Sequence, residues 1–313
     1  MEDMRNLLIK IAHYYYRLDY TQNEIAKRMK MSRQRVNRLL KKVREEGIVK
    51  ISIEGYNESF AELESGLEEK FKLDRAIVIK TMEKENLYET LAMEGVNYLI
   101  SMLRDNLQIG VSWGKTLYHL AANLPSNLNR FQNITVTQLV GGMSSEDGPR
   151  KSDEITRMVG EKLNAKTYFL FAPTFVKNPL IKEEYLKEES IREVFEQIEA
   201  CDVVFLSIGE VSKYSSSLKT TLIEEGDYKD IIKLGGVGNI SLRYFDENGK
   251  ILDCDLNKSI MGIEPKTFKK IPEVVCMAGG KEKEKAIKAG LKSGYVSTLI
   301  TDEETAKNIL SEK

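Results

Sequence analysis

The stretch TQNEIAKRMKMSRQRVNRLLKKVREEG, Thr21 to Gly47, decides how the N-terminal part of the chain is read. Thr21 followed by Glu24 is a capping box, so a helix is expected from Gln22. Ser32 is a second N-cap and Gly47 a stop signal. Two helices separated by a turn at Lys30-Met31 match helix-turn-helix spacing. Ile25, Ala26 and Met29 face inward from the first helix, and Val36, Leu39, Leu40 and Val43 form an apolar stripe on the second. A left-handed backbone at Lys30 is costly for a residue with a side chain, so a turn less tight than usual is expected there.

Rotation about the second helix puts Gln34, Arg38 and Lys41 opposite the stripe, flanked by Arg35, Asn37 and Lys42. Arginine forks onto guanine, and glutamine or asparagine onto adenine, in the major groove. Ser32 and Arg33 stand at a helix N-terminus that favours phosphate, and Thr21 and Gln22 open the preceding helix. These nine residues, Thr21, Gln22, Ser32, Arg33, Gln34, Arg35, Asn37, Arg38 and Lys41, are the expected DNA contacts. Charge agrees, since residues 1–50 hold 13 Lys and Arg against 6 Asp and Glu, while the remainder holds 34 against 42. LLIKIAHYYYRLDY is expected to be an amphipathic helix completing this core, with Tyr14–Tyr16 in packing roles, and IVKISIEG a short strand forming a wing.

The chain has 313 residues, 42% hydrophobic and 30% charged, which is the composition of a soluble globular protein. No apolar run approaches the roughly 20 residues of a membrane helix, and MEDMRNLLIK does not read as a signal peptide. Cys201, Cys254 and Cys276 form no C-x-x-C pair and are expected to be buried thiols of a cytoplasmic protein, with no metal site.

ESFAELESGLEEKFKL spaces Phe60, Leu63, Leu67 and Phe71 as one face of a connecting helix, which either dimerises or packs on the next domain. From Arg75 onward apolar strands alternate with helices: AIVIK, LQIGVS, ITVTQLV, TYFLF, DVVFLSIG, EVVCMAG and VSTLI are the strand candidates. That alternation predicts an α/β domain with a mainly parallel sheet, whose ligands sit beyond the C-terminal strand ends. Small-residue loops are expected there: GVSWGKT (110–116), VGGMSS (140–145), SIGEV (207–211), GGVGN (235–239) and AGGKEK (278–283). GVSWGKT is one residue short of a Walker A loop. Its amides, the Thr116 hydroxyl and Lys115 still suit an anion at the start of the helix KTLYHLAANL. Catalytic residues are scarce. His13 and His119 have no nucleophile or metal partner in view, and Asp153, Glu154, Asp202 and Glu210 read as caps and surface.

The motifs YTQNEIAKRMKMSRQRVNRLL, IGVSWGKTLYHLA, VTQLVGGMS, FAPTFV, SIGEV, GGVGNISLRYFDENGKI, MGIEPKTFKKIP and VCMAGGKEKEKAIKAGLKSGYVSTLITDEETA occur in one order across the whole chain. In that order they resemble the SorC/DeoR-type sugar-responsive transcriptional regulators of bacteria. The resemblance implies an N-terminal, winged-like helix-turn-helix domain (residues 1–55), a linker helix (56–74) and a large α/β effector domain (75–313). The effector domain would share the fold of sugar-phosphate isomerases and deaminases. It implies a homodimer or homotetramer that needs no cofactor and represses a carbohydrate-utilisation operon. A phosphorylated sugar would change its hold on operator DNA. Carried over, Ser112, Gly114, Lys115 and Thr116 form the sugar-phosphate loop, and Gly141, Gly142, Met143 and Ser144 the facing loop. Gly209, Asn239 and Lys283 would close the pocket. Asn239 stands where the family often has Asp, and Val140 where some relatives carry an imine-forming Lys. Two alternatives stay open: an isomerase or deaminase with an appended DNA module, and a regulator using GKT for a nucleotide.

Overall fold

Both caps expected near the N-terminus form. In this computed structural model, which describes residues 2–51, 59–126, 128, 131–142, 151–212 and 223–311, the chain divides into Met1–Glu58 and Ser59–Lys313. The smaller unit holds α1 (Glu2–Tyr16), α2 (Gln22–Arg28) and α3 (Arg33–Glu45). The Thr21 amide donates to Glu24 Oε2 at 2.7 Å, the Glu24 amide donates back to Thr21 Oγ1 at 3.3 Å, and Ser32 Oγ accepts from the Arg35 amide at 3.2 Å. Leu8, Ile11, Ile25, Val36, Leu40 and Val43 form the core, and Tyr14, Tyr15, Tyr16 and Tyr20 pack their rings against it.

The turn after α2 is tighter than the sequence suggests. Lys30 takes φ 49°, its amide donates to Lys27 O (3.3 Å), and the Met31 amide donates to Ala26 O (3.0 Å). That is a Schellman cap, and α3 ends in the same motif with Gly47 (φ 66°) in the equivalent position. Lys30 is therefore held left-handed by the two hydrogen bonds and by Met31 packing on the core. The expected wing strand is not found at Ile48 and Val49, which bend and pack on the core; residues 52–55 of that stretch lie outside the described residues.

The larger unit contains β1 (Arg75–Ile79), β2 (Gln108–Val111), β3 (Thr135–Gln138), β4 (Lys166–Tyr168), β5 (Val203–Leu206), β6 (Ile208–Glu210), β7 (Gly236–Ile240), β8 (Arg243–Asp246), β9 (Glu273–Met277) and β10 (Thr298–Asp302). Its helices are α4 (Ala61–Phe71), α5 (Lys84–Met102), α6 (Lys115–Asn123), α7 (Ser152–Leu163), α8 (Pro179–Lys187), α9 (Glu189–Glu199), α10 (Glu225–Lys233), α11 (Asp255–Ser259), α12 (Pro265–Phe268), α13 (Glu284–Lys292) and α14 (Glu303–Ser311). All seven candidate strands enter one parallel sheet, ordered β1-β10-β9-β5-β2-β3-β4. Val204 and Leu206 of β5 face one core, with α4, α9, α13 and α14; Val203 and Phe205 face another, with α5, α6 and α7. Burial on both faces is why these strands read as unbroken apolar runs. The helix α4 packs within the larger unit, with Leu67 fully buried and Phe60, Leu63 and Phe71 against the same core. Cys201 and Cys276 are buried, which pushes each thiol up to about 12, while Cys254 is only half-buried; none is paired.

One element departs from the expected loops. GGVGN is not a strand-end loop: Gly236–Ile240 is the central strand of a second, antiparallel sheet ordered β6-β7-β8. A Cβ on Gly238 would lie 2.7 Å from Ala286 Cβ and 2.8 Å from Phe245 Cζ, so the glycine serves close packing and not a loop. SIGEV likewise runs into β6.

Lys30→Gly should stabilise the protein. A left-handed residue with a Cβ costs about 1–2 kcal/mol; the greater freedom of unfolded glycine returns about 0.4–1 kcal/mol of that. A net gain of about 0.5–1 kcal/mol is expected in denaturant unfolding followed by far-UV circular dichroism, with Gly47→Ala, at the equivalent position of α3, shifting the midpoint the other way.

Candidate functional site

The outward face of α3 is as the rotation predicts. Ser32, Arg33, Gln34, Arg35, Asn37, Arg38 and Lys41 are exposed, and Val36, Leu39, Leu40 and Val43 are buried. Lys41 and Glu45 approach to 3.9 Å, an exposed pair that leaves the lysine available to a phosphate. Thr21 is occupied by its capping box, and the half-buried Gln22 donates its amide to Asn37 Oδ1 at 3.5 Å.

The second cluster lies at the C-terminal edge of the parallel sheet. The chain builds the sheet in one direction through β2, β3 and β4, then crosses back to β5 and proceeds the other way through β9 and β10. The reversal falls between β2 and β5, where open α/β sheets bind their ligands. The strands β9, β5, β2 and β3 are consecutive neighbours, so their exits at 278–283, 207–210, 112–116 and 139–142 share one edge. That register brings Ser112, Gly114, Lys115, Thr116, Gly141, Gly142, Gly209 and Lys283 to the same end of the sheet. Asn239 reaches it from the antiparallel sheet, paired with Gly209 across β6 and β7. Met143 and Ser144 lie outside the described residues.

Gly114 takes φ 112° at the start of α6, a conformation that disfavours any side chain, and no side chain caps that helix end. Ser112 and Thr116 are each 2% exposed, so neither hydroxyl stands on the open surface. Ser112 Oγ lies 3.1 Å from Ser241 Oγ at the tip of the β7–β8 hairpin. Ser241 and Leu242 both take positive φ (46° and 66°), a two-residue turn of the kind that glycine and asparagine usually occupy. The Lys115 and Lys283 ammonium groups lie 5.5 and 5.3 Å from the ring centroid of Tyr88, on α5. Burial pushes the Lys283 ammonium below its ordinary value; Glu210, Cys276 and Glu282 oppose the shift and Lys115 adds to it.

Two buried groups hold these loops. Asp302, 1% exposed, accepts from the Gly280 amide (2.9 Å), the Thr305 amide (3.1 Å), Thr305 Oγ1 (2.6 Å) and Thr81 Oγ1 (3.2 Å), so it anchors the turn carrying Lys283. Arg243, 2% exposed, donates to the carbonyls of Ile263, Asn257 and Gly262 and to Glu264. The segment it braces receives the Gly141 amide at Met261 O (2.8 Å), and Gly142 is fixed by Ala172 O and Thr174 Oγ1. Sequence reading missed Tyr88, Ser241, Asp302 and Arg243. Each acts through a fold-dependent neighbour, and only the DEET that starts at the last residue of β10 (Asp302–Thr305) carries a local signal, that of a helix cap.

Residues 56–311 match the family described as "Putative sugar-binding domain", and residues 5–57 match the Crp-like helix-turn-helix domain. The chain belongs to the SorC-type family of transcriptional regulators. It is 28% identical to the deoxyribonucleoside regulator of Bacillus subtilis over 99% of both chains, and 29% identical to the sorbitol operon regulator of Klebsiella pneumoniae over 99% of this chain and 98% of that one. The crystal structure of the full-length Klebsiella sorbitol operon regulator superposes with a TM-score of 0.77 at 27% identity, covering 99% of this chain and 100% of the other. A DeoR family regulator from Listeria monocytogenes gives 0.73 at 27% identity over 80% of this chain and 98% of its own. The SorC-type chain is thus a DNA-binding regulator with a sugar-binding domain, not an enzyme. Among the described residues no helix is long and apolar enough to cross a membrane.

The half-buried Lys283 gives a signed pH dependence. Its folded pKa lies below its unfolded value of about 10.5, so the unfolded chain holds a proton through a window where the folded chain has lost it. Stability therefore rises with pH across that window, and the penalty is complete below the folded pKa. Lys283→Met should be more stable than the parent at neutral pH, with the difference shrinking as pH approaches 10.5 in urea titrations without ligand.

Proposed function

We propose that this SorC-type regulator represses a carbohydrate-utilisation operon and that a phosphorylated sugar, bound at the C-terminal edge of the parallel sheet, controls its hold on operator DNA. The observation that carries the reading is the convergence of Lys115 and Lys283 on one ring at the point where the sheet reverses direction. Two ammonium groups beside an uncapped helix end match a terminal phosphate dianion. Glu210 and Asn239, near the same edge, suit the hydroxyls of a sugar. GVSWGKT serves this ligand as a single-phosphate loop, since its spacing does not wrap a nucleotide as a Walker loop does. Relatives named for the sorbitol operon and for deoxyribonucleosides support a carbohydrate-derived effector. The proposed regulator works as a homodimer or homotetramer, because one helix-turn-helix reads only a half-site. The sugar phosphate shifts operator binding only as far as it prefers one state of the protein.

Two measurements test the parts separately. Isothermal calorimetry with a panel of sugar monophosphates and ATP should show one sugar phosphate binding, with Thr116→Ala or Lys283→Ala weakening it about ten- to a hundredfold, as loss of a charge-assisted bond of about 1.5–3 kcal/mol requires. Tight ATP binding with no sugar phosphate, or unchanged affinity in both variants, would overturn the site. In mobility shifts on the promoter of the chain's own operon without effector, Arg38→Ala should cost about 1–3 kcal/mol. Lys41→Ala should weaken all sequences alike and lower the salt slope by about one charge. Two variants that bind like the parent would remove α3 from the groove.

A further inference from the structure

One side chain at the C-terminal edge of the parallel sheet carries a polar atom that the fold leaves unpaired. Ser207 follows the last residue of β5, and its Oγ is buried with no hydrogen-bond partner among the described residues. The other serine and threonine hydroxyls found in that state lie inside strands; among the described residues Ser207 alone of them stands beyond a strand end. A buried donor without an acceptor costs free energy, so the position is one that an incoming acceptor would stabilise. Alternation fixes its direction. Val203 and Phe205 face the core with α5, α6 and α7, while Val204, Leu206 and Ile208 face the opposite core. The alternation therefore runs past the strand end and carries Ser207 to the side of α5 and α6.

That side is where the two lysines converge. In the sheet β5 stands between β9 and β2. The exit of β9 carries Lys283 and the exit of β2 leads to Lys115, so Ser207 occupies the exit between them. The Ser112 amide donates to Phe205 O at 3.0 Å, which holds the ends of β2 and β5 in register just before their loops. Lys115 is the first residue of α6, and Tyr88, over whose ring both ammonium groups lie, is on α5. The elements around Ser207 thus supply positive charge and, from the uncapped start of α6, backbone amides. Glu210, the acid nearest to Ser207 along the chain, interacts with Lys283 instead, and no described residue accepts the Ser207 proton.

We propose that the Ser207 hydroxyl is a direct ligand of the effector, donating to an oxygen of its phosphate group between Lys115 and Lys283. The inference rests on the reading of this edge as the phosphate site and adds to it a residue that favours the bound state over the free one. The oxygens of a phosphate dianion only accept, so they match one hydroxyl, two ammonium groups and the amides of α6 without leaving a proton unplaced.

Inorganic phosphate is the probe, titrated into the full-length chain and followed by phosphorus NMR, with urea unfolding of the same proteins in phosphate-free buffer. Ser207→Ala should weaken phosphate binding about tenfold. It should leave the urea midpoint unchanged or higher, because it removes a donor that the free chain leaves unpaired. A midpoint that falls together with the affinity would overturn the proposal, since the hydroxyl would then serve the fold. So would a phosphate affinity within about twofold of the parent, provided that Lys283→Ala weakens it in the same titration. If the parent binds no phosphate, or Lys283→Ala binds it like the parent, the phosphate site itself is misplaced and the Ser207 contact falls with it.

Discussion

The larger unit depends on the hydrogen-bond ladder that flanks β2. On one side Gln108–Val111 pairs in parallel with Thr135–Gln138; on the other, Ile109–Val111 pairs with Val203–Phe205. Parallel pairing forces every strand to end on the same edge, and the reversal of chain direction at β2 leaves the loop after it uncrossed by its neighbours. The Gly114–Thr116 loop, the Gly141–Gly142 loop and the turn carrying Lys283 are sequence-distant. They meet because β3, β2, β5 and β9 are adjacent. A one-strand change of order would leave each motif intact and disperse the site.

Buried polar groups convert that adjacency into fixed positions. Asp302 and Arg243 are almost wholly withdrawn from water, yet Asp302 accepts from the Gly280 amide and from threonine groups, and Arg243 donates to Glu264 and to three carbonyls of the segment that receives the Gly141 amide. In a low-dielectric interior such bonds are strong when complete and costly when broken. Desolvation of the Lys283 ammonium has the same origin: the fold holds a cation in a place that an anion would stabilise. The strained Ser241–Leu242 turn, buried and in contact with Ser112, shows the antiparallel sheet pressed into the same region.

The helix-turn-helix unit works under opposite physics. Its functional face is exposed and its cations are screened, so affinity there comes from many phosphate contacts and counterion release. What its core must do is hold α3 at a fixed angle to α2, and the Schellman cap at Lys30, in the turn between them, does that locally.

Local chemistry made much of this legible before any coordinates. Caps at Thr21 and Ser32, the stripe Val36-Leu39-Leu40-Val43 and the seven apolar runs are all written in residues near one another along the chain, because helix hydrogen bonds and side-chain periodicity are short-range. The resemblance carried by GVSWGKT and AGGKEK pointed to residues that the fold does bring to one edge. Tertiary structure decided the rest. GGVGN looked like a loop because glycines usually mark turns, yet here Gly238 admits the close approach of Phe245 and Ala286 to β7. Lys30 adopts a left-handed backbone that its own side chain disfavours, because the Ala26 and Lys27 carbonyls and the seat of Met31 require it. Tyr88 carries no motif, and only the packing of α5 beside β9 and α6 sets its ring under both lysines. Strand order and the partners of buried charges are long-range properties, and no window of sequence contains them.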